Sequence, residues 1–192
     1  MIDIREHLNA APSAPGDLEI LQRFLNLHEH APDGRTLDPP LEMIRTFLVE
    51  RRLLTREQRF TEADRETYLE LRRALRALIG VRDGESLAEA DAAVIDRLGQ
   101  EAGLHPHFRA ERRPTLEPRG RGVAAAFGRV VAIAFVGSFD GSLAHMKLCA
   151  SEDCRAAFYD RSKNRSGRWC SMETCGNRAK VRAWRERQRT TP

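Results

Sequence analysis

The sequence predicts a mainly α-helical N-terminal domain of the α+β class with one small β-hairpin, followed by a small module of a β-hairpin plus a helix. Three observations predict it. Apolar residues recur at helical spacing through most of residues 1–142. The four cysteines fall in two close pairs within residues 143–192. The basic charge gathers in that same segment.

The chain has 192 residues, enough for one ordinary domain and a small module. Hydrophobic residues make up 41% and charged residues 31%, the balance of a globular chain with a buried core. Residues 1–144 carry 20 Lys and Arg against 23 Asp and Glu, whereas residues 145–192 carry 12 against 5. The whole positive excess therefore lies in the last quarter of the chain, which points to an anionic partner there. Met1 to Asn9 is short and charged, so no secretory leader is expected. The apolar run Val123 to Phe139 is interrupted by Gly128, Arg129, Gly137 and Ser138 and falls short of the ~20 residues of a spanning helix. The expectation is a cytoplasmic protein with reduced thiols and no membrane partner.

Leu18, Leu21, Phe24, Leu25 and His28 predict a first helix, and Leu41, Ile44, Phe47 and Leu48 a second, joined by a Pro-, Asp- and Gly-rich loop from Ala31 to Pro40. Thr61-Glu62-Ala63-Asp64 resembles a capping box, and the helix after it buries Leu71, Leu75, Leu78 and Ile79 before Gly80 and Gly84. Ser86-Leu87-Ala88-Glu89 reads as a second box, opening a helix that buries Leu87, Val94, Ile95 and Leu98 and stops at Gly99 or Gly103. His107 to Glu111 and Thr115 to Glu117 read as a hairpin with Pro114 between its strands. Arg121 to Ser138 returns to a mostly buried helix, and Ser138 to Ser142 reads as the linker into the C-terminal module.

The cysteines follow the pattern Cys149-x4-Cys154-x15-Cys170-x4-Cys175. Each pair can supply two thiolates from a tight knuckle, and the stretch between lets the chain return to one ion. Four soft ligands suit Zn2+, one per chain, with an iron–sulfur cluster as the minor alternative. A shell filled by four cysteines leaves no open position, so the metal would be structural. His145 and His107 are bystanders on this reading. Four thiolates around a dication leave a charge of −2, which Lys147, Arg155, Arg168 and Arg178 lie close enough in sequence to offset.

Ala157 to Asp160 reads as a strand, Lys163 to Gly167 as a hairpin tip, and Arg168 to Cys170 as the return strand. Ser171 to Thr174 opens a helix running to about Arg189, with Cys175 in its first turn. A knuckle, a hairpin and a helix carrying the last ligand make a treble-clef-like zinc finger, and a module this small needs its metal to fold. The run Cys175-Gly176-Asn177-Arg178, after Trp169-Cys170-Ser171 and with Cys149, Cys154, Phe158, Asp160 and Lys180, resembles the CGNR zinc finger over about residues 147–189. Proteins of that family usually carry an N-terminal ABATE domain, described as a putative stress-induced transcription regulator. Residues 1–142 are similar to it in length and helix content, with Phe24-Leu25-Asn26 at a comparable start. The resemblance implies DNA binding by the finger and a role in transcription regulation and stress response.

The last helix gives that implication a geometry. At ~100° per residue, Arg178, Arg182, Arg185 and Arg189 fall within about 60° of one another. Lys180 adds charge to the same helix, and Arg161, Lys163, Arg165 and Arg168 form a second basic cluster at the hairpin tip. Such a surface can neutralise phosphates and release their counterions, and Arg can also read guanine edges. Asn177 is expected to bond local backbone, and Val181 and Trp184 to pack the helix on the hairpin, with base stacking as the sharper alternative.

No Gly-rich phosphate loop, metalloprotease pair or nucleophile elbow is present, so no enzyme is expected. His28 and His30 with Asp33 read as a polar helix end. The expectation is a DNA-binding transcriptional regulator whose helical domain senses a small molecule or forms a homodimer. The competing readings are a zinc-stabilised protein-interaction adaptor and an RNA-binding protein.

Overall fold

The structure, a computed structural model, describes residues 13–30, 36–81, 84–108 and 114–190. Helix α1 (Leu18–Asn26) buries Leu18, Leu21, Phe24 and Leu25, the face its periodicity predicts. Two-residue strands β1 (Glu29–His30) and β2 (Thr36–Leu37) pair antiparallel, a contact the sequence did not signal. Residues 31–35 of the intervening loop, Asp33 among them, lie outside the described residues. Helix α2 (Leu41–Glu50) buries Ile44, Phe47 and Leu48.

Helix α3 (Glu62–Gly80) starts at the capping box foreseen for it. The Thr61 amide donates to Asp64 Oδ2 at 2.7 Å and the Asp64 amide to Thr61 Oγ1 at 3.4 Å. The second box does not form. Helix α4 (Glu89–Glu101) begins after Ala88, whose backbone is extended, so the Ser86 hydroxyl stands two residues too early to cap it. Strands β3 (His105–Phe108) and β4 (Pro114–Glu117) make the expected small hairpin, in the register His105 to Glu117 through Phe108 to Pro114. Pro114 opens the second strand instead of lying between the two, at a position where a missing amide proton costs no ladder bond. Arg109 to Glu111 lie outside the described residues.

Helix α5 (Val123–Phe139) is buried almost all round, from Ala126 through Ala134 apart from Arg129. Gly128 allows this: a Cβ there would stand 2.2 Å from the Ala102 methyl at the end of α4. Phe24 lies at the centre of the core, its ring centroid 4.7 Å from Tyr68 and 6.4 Å from both Phe47 and Phe127. The buried Tyr68 hydroxyl donates to the Phe24 carbonyl at 2.8 Å, which ties α3 to α1. No helix among the described residues is long and apolar enough to cross a membrane.

After a 3-10 turn (Ser142–His145), strand β5 (Met146–Leu148) pairs antiparallel with β6 (Ala157–Tyr159). Leu143, Met146 and Ala157 belong to the same buried cluster as Leu21, Phe24 and Tyr68. The expected strand at Ala157 therefore forms, but with a different partner. Arg168 to Cys170 is not a strand, and it contributes one backbone bond to the first knuckle, from the Ala150 amide to the Arg168 carbonyl at 2.9 Å. Met146 and Ala157 can reach the helical core, whereas the segment after Asp160 curls around that side chain. A π-helical turn (Met172–Gly176) leads into helix α6 (Asn177–Thr190).

A four-cysteine metal centre and its basic surroundings

Two knuckles present the cysteines. In the first, the Cys149 amide donates to the Ala156 carbonyl at 2.8 Å, and the Cys154 and Arg155 amides donate to the Ser151 carbonyl at 3.0 and 2.9 Å. Arg155 completes that turn with φ 51°, in the left-handed region. In the second, the Ser171 hydroxyl accepts from the Thr174 amide at 3.3 Å and the Gly176 amide returns to the Ser171 carbonyl at 3.0 Å. The Asn177 side chain donates to the Glu173 carbonyl at 3.0 Å, the local backbone bond expected of it. Trp169 packs against the cysteine cluster, with the Arg168 guanidinium 5.3 Å from its ring centroid.

The four Sγ atoms converge within 4.8 Å of one another, with 3.6 Å between Cys154 and Cys170 and 3.7 Å between Cys170 and Cys175. These separations are far beyond the ~2.05 Å of a disulfide. They match the edge of about 3.8 Å that a tetrahedron with metal–sulfur bonds of ~2.3 Å requires. Cys149, Cys170 and Cys175 are buried and Cys154 is half-buried. Hydrogen bonding from Cys154 and Cys170 lowers the Cys149 thiol to about 2. Bonding to Cys149 raises Cys154 and Cys170, and burial with the charges of Cys154 and Cys149 pushes Cys175 up to about 12. Four adjacent sulfurs cannot all ionise by themselves, and a dication removes that conflict. The donor set thus fits a tetrahedral thiolate-bound metal with a closed shell.

Residues 145–188 match the family model of the CGNR zinc finger. No curated protein matches the chain. The match starts at His145, so the finger includes β5 as well as β6, and its hairpin is the part embedded in the helical core.

A second polar hub shapes the finger's basic loop. Asp160 is 4% exposed and accepts from the Ser162 amide at 2.9 Å, the Gly167 amide at 2.8 Å and Lys147 Nζ at 2.8 Å. Burial alone would raise its carboxyl, but the Lys147 ammonium and these amides hold it well below the usual carboxylate range. Lys147 also bonds the carbonyls of Arg165 and, at 3.4 Å, Gly167. Lys147 is therefore committed to this loop and not, as the sequence suggested, to the thiolates. Gly167 is required here because a Cβ would stand 2.7 Å from the Asp160 carboxylate. The Asp-x-Ser turn at 160–162 was a readable signal for the hub.

The wound loop exposes Arg161, Lys163, Arg165 and Arg168, and α6 exposes Arg178, Lys180, Arg182, Arg185 and Arg189. Arg182 is joined at 2.9 Å to Asp153 of the first knuckle, tying α6 back to the metal centre. Val181 and Trp184 are 46% and 56% exposed, so they do not pack the helix on the hairpin. The half-buried side of α6 is Ala179 and Ala183. His145 is turned to the Asp160 carbonyl, 2.9 Å from Nδ1, and stacks on Tyr159, while His107 lies 3.5 Å from Glu117. His28 Nδ1 is 2.6 Å from the Asn26 carbonyl.

Sequence reasoning missed the residues that seat the finger. Asn26 bonds both backbone groups of Ala157, and Gln22 adds a bond to its carbonyl at 3.4 Å. Arg161 donates to the Ser13 carbonyl at 2.8 Å, and Arg76 reaches the Arg155 carbonyl. None of these partners is closer than 79 positions in sequence, and no local pattern could have revealed them.

Proposed function

We propose that this chain is a DNA-binding transcriptional regulator whose C-terminal finger, closed by one zinc ion, makes the nucleic-acid contact. The observation that carries this reading is the exposed basic surface anchored on the four-cysteine centre. Lys163, Arg165 and Arg168 on the loop and Arg178, Lys180, Arg182, Arg185 and Arg189 on α6 all face solvent. A helix so polar gains little from packing, and its cations suit a polyanion. The helical part, which resembles ABATE, would sense a ligand or mediate dimerisation. A cleft of about 580 Å³ lined by Gln22, Asn26, Met43, Phe47 and Arg51 offers a place for a small molecule, beside the residues that hold Ala157.

The test is titration of the zinc-loaded chain with random-sequence and genomic DNA fragments at several salt concentrations. Salt-sensitive binding with enrichment of particular fragments supports the regulator. Binding without enrichment reduces the reading to a non-specific nucleic-acid protein, and an RNA preference replaces DNA with RNA. No binding at low salt overturns it. The second reading, a protein-interaction adaptor, is favoured by exposed Val181 and Trp184, whose face lies roughly 100° around α6 from the arginine stripe. Retention of an acidic protein partner with no retention of DNA would select it.

A further inference from the structure

We infer that Arg76 of α3 is the counter-charge that the helical part supplies to the metal centre, a positioning residue that holds the first cysteine knuckle in place. The inference rests on the reading of the four cysteines as a metal site, and it concerns a residue outside the finger.

Arg76 is half-buried, and a guanidinium partly withdrawn from water gains from a nearby anion. Its donors go to two neutral groups, Nη1 to the Leu25 carbonyl at 3.1 Å and Nη2 to the Arg155 carbonyl. No carboxylate pairs with it among the described residues. The nearby Asp38 is engaged by Arg72, at 3.2 Å. Burial, joined by the like charges of Arg72 and Arg155, lowers Arg76 to about 10. Cys154 directly precedes the residue whose carbonyl Arg76 binds.

The two halves of the problem answer each other. A dication with four thiolates carries a net −2, while Arg76 is a half-buried cation with no carboxylate paired to it among the described residues. Lys147 is occupied by Asp160, and Arg168 lies over Trp169. Arg155 has the strained left-handed backbone of the knuckle, and its carbonyl is aimed at Arg76. Arg76 thus reaches from the C-terminal end of α1 to the turn carrying Cys154, the ligand least covered by protein. A fixed cation there stabilises the ionised thiolates and keeps the knuckle closed, as outer-shell partners do in other metal sites.

The experiment uses the full chain loaded with zinc, and follows metal transfer to a chromogenic chelator at equilibrium and over time. Cobalt substitution reports the tetrathiolate geometry through its absorption bands. Arg76→Met and Arg76→Gln should weaken zinc binding about 10- to 100-fold and speed its release. Arg76→Lys should recover most of the affinity, because it keeps the charge while losing the forked geometry. Asn26→Ala breaks another tie between the helical part and the finger without altering charge, and should weaken zinc binding less than Arg76→Gln does. The inference is overturned if Arg76→Gln binds zinc as the parent does, or if Asn26→Ala weakens zinc as much as Arg76→Gln. It is also overturned if Arg76→Lys is as weak as Arg76→Gln. A parent chain that binds neither zinc nor cobalt would instead sink the metal reading itself. Soluble Arg76→Gln with the parent's helical circular dichroism separates an affinity loss from misfolding, and Arg76→Lys supplies the same comparison if Arg76→Gln and Arg76→Met do not fold.

Discussion

The Asn26 carboxamide treats Ala157 as a neighbouring strand would. Its Oδ1 accepts the Ala157 amide at 2.7 Å and its Nδ2 donates to the Ala157 carbonyl at 2.8 Å. Ala157 is fully buried, so both backbone groups depend on partners inside the protein. One side chain at the end of α1 thereby seats the outer edge of β6 on the helical core.

Replacing Asn26 with Ala removes both bonds and leaves the Ala157 amide without a partner, since its carbonyl keeps only the long bond from Gln22. The expected loss is about 1–3 kcal/mol, appearing as a lower denaturant midpoint at unchanged slope. Asn26→Asp should do no better, because it restores the acceptor but not the donor. An unaltered midpoint would show that Asn26 does not seat β6.

The metal should be coupled to protons. Cys175, pushed up to about 12, must give up its proton to act as a ligand. Zinc affinity should therefore fall as pH falls, with protons released on binding. Calorimetry of zinc binding in buffers of different ionisation enthalpy counts those protons. Cys170→Ser, which removes a buried ligand, should abolish the cobalt thiolate bands.

Chelation of the metal should loosen residues 149–176 before the helical core. The core around Phe24, Tyr68 and Phe127 is built without any cysteine. Limited proteolysis after chelation should cut first in the finger, while most helical circular dichroism persists. Simultaneous loss of both would mean that the finger and the helices fold as one unit.

Asp160 makes acid stability depend on the loop. Its folded pKa is depressed, so its contribution is present above the ordinary carboxylate pKa of ~4 and is lost as pH falls through the folded value. Asp160→Asn should lower stability at neutral pH and flatten the decline below about pH 4. Gly167→Ala should disturb the same loop, because the added methyl meets the Asp160 carboxylate. Equilibrium unfolding of parent and variants from pH 7 down to about pH 2, compared at equal metal occupancy, reads both effects.

On α6, Arg185→Ala should weaken DNA binding and reduce the salt slope by about one, and Arg182→Ala should weaken it with a smaller change in slope, neither unfolding the chain. Arg182 already pairs with Asp153, so its removal also frees α6 from the first knuckle. Its loss should cost less in phosphate contact and more in helix placement than that of Arg185. Equal salt slopes in parent and variants would remove the arginine stripe from the binding surface.

The sequence by itself determined the helices, the capped start of α3, the hairpin of β3 and β4, and the four ligands with their spacing. Each of these is written in local periodicity or in spacing that a tight turn must satisfy. It also located the basic segment, because charge is a property of composition. Only the tertiary structure decided that β6 pairs with β5 instead of with Arg168 to Cys170. The choice depends on a buried core that lies far away along the chain. The same holds for Asn26 beneath Ala157, for Arg76 beside the first knuckle, and for the withdrawal of Lys147 from the thiolates to Asp160. The ties of Asn26 and Arg76 join residues far apart in sequence, and all of these contacts are chosen by burial: a polar group removed from water takes whatever partner the fold brings within reach.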